Sequence, residues 1–121
     1  MSRILKLTFL ILLLAGSCIH AAAQGDQIAG GYGEAGVKDK AVRRAAAVAI
    51  RQQAKRERHS VTLIKINKAE QQVVAGMNYR LCMSVRRGRH GHVHTVTAVV
   101  YEPIRKSMRL TNWEEGGCKE M

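Results

Sequence analysis

From Asp39 to about Arg58 the chain contains no Gly or Pro, and Val42, Ala45, Ala46, Ala49 and Ile50 recur along one face at helical spacing. Arg43, Arg44, Arg51, Lys55 and Arg58 occupy the other face. The pattern predicts one long amphipathic helix with Asp39 as N-cap. Lys55, Arg56 and Arg58 suit the negative end of its dipole. Its buried stripe is mostly alanine, so the helix can lie close against a sheet.

Beyond the helix the period changes to two. Val61 to about Gln72 begins with β-branched residues, and Asn78 to Arg86 alternates Tyr79, Leu81, Met83 and Val85 against Asn78, Arg80, Cys82 and Ser84. Arg87 to Gly91 is a turn cluster, His92 to Tyr101 is the most strand-like run, and Ser107 to Glu115 can form a last strand after Pro103. One helix followed by an antiparallel meander is an α+β fold. In such a meander, Val73 to Gly76 and Glu102 to Arg105 are hairpin turns at the same end of the sheet. The first turn is unusual: tips of turns are normally polar, and this one reads Val-Val-Ala-Gly.

Two segments lie outside this core. Residues 1–23 combine a basic start (Arg3, Lys6), an apolar run from Leu7 to Ala15 and small residues at Ala21 to Ala23, the pattern of a secretory signal peptide cleaved after Ala23. The run is interrupted by Gly16, Ser17, Cys18 and His20, so no membrane span is expected, and secretion or export to a periplasm follows. Residues 24–36 hold five glycines and no hydrophobic period, which predicts a flexible arm ahead of a domain at 37–121.

Charge and cysteines narrow the class further. Without Arg3 and Lys6, 18 basic side chains stand against 9 acidic ones, a net charge of +9 that favours anionic partners. Cys82 and Cys118 are left once Cys18 departs with the leader, and an even pair in an exported chain predicts one disulfide. Closing a loop of 35 intervening residues contributes ~3–4 kcal/mol.

Gln72-Val73-Val74-Ala75-Gly76 matches, at all five positions, the Gln-Val-Val-Ala-Gly loop of the cystatins, inhibitors of papain-like cysteine proteases. Gly30-Gly31 is similar to that family's N-terminal glycine pair, Val42 to Ile50 looks like its helix, and Asn78 to Leu81 fits the strand after its first loop. The resemblance implies one long helix packed on a four- to five-stranded antiparallel sheet. It also implies reversible, tight-binding inhibition by a monomer, in which an arm and two hairpins fill the protease cleft without presenting a cleavable bond. Carried over, Ile28 and Ala29 would enter the non-primed pockets, and Gly30 and Gly31 would let the backbone turn away from the catalytic thiol. Gln72, Val73, Val74, Ala75 and Gly76 would pack on the cleft wall. The second hairpin departs from the family: it reads Pro103-Ile104 where cystatins carry Pro-Trp. An aromatic anchor is worth ~2 kcal/mol, so its loss predicts roughly thirtyfold weaker binding. The asparagine with which some cystatins bind legumain is missing from Lys55 to Val61. The two cysteines are placed differently from the four of animal secreted cystatins; a Cys82–Cys118 bridge would pin the C-terminal tail across the outer face of the sheet.

Other chemistries are weaker in the sequence. His90, His92 and His94 alternate, but imidazoles ~6.6 Å apart along a strand share a metal poorly and no carboxylate or thiol lies beside them, so no metal is expected. No carboxylate pair, Cys/His dyad or phosphate-cradling loop points to an enzyme, and no cofactor is expected. A cationic module for polyanions or membrane surfaces is the alternative function. Its basic residues lack interleaved aromatics, which argues against specific nucleic-acid binding.

Overall fold

A computed structural model describes residues 30–118 and residue 121. The leader at 1–23, its cleavage after Ala23, the start of the arm, and Ile28 and Ala29 lie outside the described residues. A short strand β1 (Tyr32–Ala35) precedes the helix α1 (Lys40–Glu57), and four strands follow: β2 (Val61–Val74), β3 (Gly76–Arg87), β4 (Val93–Glu102) and β5 (Arg109–Glu115). All five strands form one sheet in the order β1-β2-β3-β4-β5, and each neighbouring pair is antiparallel.

α1 buries Val42, Ala45, Ala46, Val48 and Ala49 against the sheet. The inner face of the sheet supplies Ala69, Tyr79, Leu81, Met83, Val85, Val96, Ala98 and Val100, with Met108 and Leu110 closing the edge. Alternation in β3 and β4 follows the pleat: Leu81 opposes Ala98 and Met83 opposes Val96, all four fully buried. Alanines on the helix let its backbone approach this layer, and removing a large partner such as Leu81 would cost ~2–5 kcal/mol. Two register shifts in β2, between Leu63 and Lys65 and between Ile66 and Lys68, interrupt the pairing of this long strand with β3.

Three details differ from the sequence expectation. Residues 32–35, within the segment read as an arm, pair as β1 with β2, in register from Tyr32 opposite Gln72 to Ala35 opposite Ala69. The pairing is made by backbone, Ala35 is buried, and the Arg80 guanidinium sits 4.0 Å over the Tyr32 ring. Asp39 does occupy the N-cap position, but its carboxylate makes no hydrogen bond to the helix. It accepts instead from the Gly36 N–H at 3.2 Å, while its own N–H donates to the Gly36 carbonyl at 3.0 Å, closing the turn that leads into α1. The first hairpin is also tighter than expected, with Val74 paired to Gly76 across Ala75.

Cys82 and Cys118 are joined by a disulfide. Cys82 is fully buried on the face of β3 opposite Tyr79, Leu81 and Met83, so the bridge holds the tail against the outer side of the sheet.

At the far end of α1, Arg87 ties three elements together. It donates to Glu57 Oε2 at 2.7 Å and Oε1 at 2.8 Å, and also to Glu115 on β5. The Arg87 hydrogen bond holds the Glu57 carboxyl down at about 2 against an ordinary 4.5; burial opposes this and Gln53 assists it. The same guanidinium lowers Glu115. A carboxylate depressed in the folded state contributes stability in full above its unfolded value of 4.5, and loses it as pH falls from there toward 2. The Glu57 side chain is 22% exposed, so solvent screens the pair and its contribution is about 1 kcal/mol. Urea unfolding of parent and Glu57→Gln at pH 7 and at pH 2.5 tests this. The variant should be less stable at neutral pH and should lose less on acidification; parallel pH slopes would contradict the assignment.

Candidate protease-binding edge

The meander brings the start of β1, the β2–β3 hairpin and the β4–β5 loop to one end of the sheet, side by side in that order. Gly30 and Gly31 lead into β1, whose first residue pairs with Gln72. The Gln72 amide donates to the Gly30 carbonyl, and its oxygen accepts from Asn78 Nδ2 at 3.0 Å. One side chain therefore fastens the arm to the first hairpin and the hairpin to β3. Gly30 has φ +100° with open space around it, so glycine is required there for its backbone and not for room.

The two hairpins are in contact through their backbones. Met77 pairs with Glu102, which sets Gly76 beside the end of β4. Gly76 has φ +112°, and a Cβ there would stand 2.2 Å from the Glu102 carbonyl oxygen and 3.1 Å from Pro103 Cα. The Tyr101 hydroxyl donates to the Ala75 carbonyl at the tip of the first hairpin. On the inner face, Glu102 accepts from the Tyr79 hydroxyl at 3.1 Å and from Arg44 of α1 at 2.7 Å. Burial and the neighbouring Glu102 raise the Tyr79 phenol, so it stays protonated as a donor. Helix, first hairpin and second loop are thereby joined at one point.

What this end offers to a partner is surface. Val73 is 61% exposed, Val74 39% and Ile104 77%, the last near the start of the 103–108 loop. Gly30, Gly31, Gln72, Val73, Val74, Ala75, Gly76, Pro103 and Ile104 thus sit together as the sequence placed them. The interlocking residues Tyr101, Glu102, Tyr79 and Arg44 were not singled out. The strand register alone would place Glu102 beside Met77, but the direction of a hydroxyl or guanidinium across two layers leaves no mark on the sequence. The histidines do not converge: His94 turns its Nε2 to 3.2 Å from Glu115, and no group of three or more metal-ligating side chains occurs among the described residues.

Residues 35–115 match the family described as aspartic acid proteinase inhibitor, over more than half of the chain. The chain belongs to the aspartic acid proteinase inhibitor family. No curated protein matches it in sequence. Among solved structures, it is similar to a salivary cystatin of the soft tick Ornithodoros moubata, at 20% identity and a TM-score of 0.57, covering 72% of this chain and 97% of that one. Mialostatin, a gut cystatin of the hard tick Ixodes ricinus, matches at 15% identity and a TM-score of 0.62, over 72% and 98% of the two chains. Al-CPI matches at 19% identity and 0.53, over 72% and 100%. At such identities the likeness is one of fold: this family member has the cystatin fold, and its family is one of proteinase inhibitors, not enzymes.

Substituting Gly76 by alanine forces a methyl group onto the Glu102 carbonyl in a backbone conformation that L-residues avoid, and should cost about 2–3 kcal/mol. Gly30→Ala meets only the backbone strain and should cost about 1 kcal/mol. Chemical denaturation of both variants measures the difference; equal losses would show that the hairpins do not press on each other at Gly76.

Proposed function

We propose that this protein is a reversible, tight-binding inhibitor of papain-like cysteine proteases, which it blocks by filling the active-site cleft. The wedge comprises the arm (Ile28 to Gly31), the first hairpin (Gln72 to Gly76) and Pro103-Ile104. The observation that carries the reading is the row of exposed apolar side chains, Val73, Val74 and Ile104, on a hairpin pair whose backbones are locked together. Such an edge is ordered before it binds, so little conformational entropy remains to be lost and apolar burial goes into affinity. Val73 and Val74 bury most of the first hairpin's apolar area, and Ile104 supplies an aliphatic contact in place of an aromatic one. The leader at 1–23 sends the chain out of the cell, where the Cys82–Cys118 bridge persists.

A second target class has a specific observation behind it: the family to which the chain belongs is named for aspartic proteinases. The same edge would serve, because nothing in a wedge of this kind reacts with the enzyme it blocks.

Titration of papain and of pepsin with the mature protein separates the two. We expect inhibition of papain, roughly thirtyfold tighter in Ile104→Trp and abolished in Gly76→Trp. Inhibition of pepsin alone would transfer the activity to the aspartic class. No inhibition of either enzyme at micromolar concentration would overturn the inhibitor reading.

A further inference from the structure

Beside the apolar edge lies a second surface of different character. An open recess of about 350 Å³ separates α1 from the 103–108 loop, with Arg44, Arg51, Lys106 and Ser107 around it and Val48 and Met108 in its floor. Both floor residues are buried. Its one acidic lining residue, Glu102, is occupied by Arg44 and Tyr79. Arg51 and Lys106 are exposed, and neither has an ion partner among the described residues. Arg105 and Arg109 continue the positive surface across the same loop, with the Arg109 guanidinium lying 5.1 Å from the Tyr101 ring centre.

We propose that this recess is a docking shoulder for a carboxylate-bearing segment on the rim of the target protease's cleft. The inference rests on the inhibitor reading and names a partner feature that the apolar wedge alone does not require. Lys106 and Ser107 belong to the loop that carries Ile104, so an enzyme seated on the wedge brings its rim over the recess. Two unpaired cations above a small apolar floor fit an Asp or Glu side chain: the carboxylate meets Arg51 and Lys106 while its methylenes cover Val48 and Met108. Charges at the margin of an interface act mainly on the rate of encounter, so the shoulder guides the wedge to a cleft with an acidic rim and away from a basic one.

The test compares the parent with Arg51→Glu/Lys106→Glu and with Lys65→Glu/Arg89→Glu, which makes the same change in net charge on exposed positions away from the recess. Association rates are measured against the protease that the parent inhibits, in about 0.05 M and about 0.5 M salt. The recess variant should associate about tenfold more slowly at low salt, and the gap should narrow at high salt; the distant variant should stay within twofold of the parent. Arg51→Gln/Lys106→Gln, which introduces no new charge, should lie between the parent and the reversal. Equal slowing by the distant pair would reduce the effect to net charge, and unchanged rates in the recess variant would remove the shoulder; either overturns the proposal while leaving the wedge intact. Loss of heparin binding with unchanged protease kinetics would assign the recess to a polyanion and overturn it as well. A parent that inhibits no protease removes the wedge and the shoulder together.

Discussion

The hairpin end of this molecule depends on the approach of two stretches of backbone, Gly76 on β3 and the carbonyl of Glu102 on β4. No side chain fits between them, so the two hairpins cannot be held apart by the residues that fill ordinary sheet surfaces. Tyr101 adds a hydrogen bond from the second hairpin to the first tip, and Glu102 ties the junction to Tyr79 and through Arg44 to the helix. Gln72 does the same for the arm. Exposed valines at a free hairpin tip would be an aggregation liability; on a fixed edge they are a shaped apolar surface.

Charge is divided between the two ends of the helix. At its C-terminal end Glu57, Arg87 and Glu115 satisfy one another and couple α1, β3 and β5. Toward its other end the acidic side chain that borders the recess beside the 103–108 loop is Glu102, already engaged, and Arg51 and Lys106 are left facing outward there. A chain with twenty basic and nine acidic residues must put its excess somewhere, and here part of it borders the apolar edge.

Much of this was legible in the residues. The alanine stripe of α1 and the alternation from Tyr79 to Val85 give a helix on an antiparallel meander, because burial on one face imposes its period on the sequence. The outer position of Cys82 follows from the same alternation. β1 was hidden because its four residues are held mainly by backbone pairing and sit between glycines, too short a run for a side-chain period to announce them. Asp39 was legible as a cap by position, but its carboxylate found a nearer partner in Gly36. The apolar tip of the first hairpin was visible as an anomaly. The contact that gives Gly76 its meaning joins residues 26 positions apart and is made by a carbonyl, which every residue carries.

The family and the fold narrow the function to proteinase inhibition on a cystatin scaffold, and we propose that the hairpin end makes the contact. Amide hydrogen exchange of the protein alone and in complex with papain tests it most directly. Contact at the hairpin end slows exchange at residues 73–77 and 102–106 and leaves the turn at 88–92 unchanged. Protection at 88–92, with none at the two hairpin ends, would contradict it.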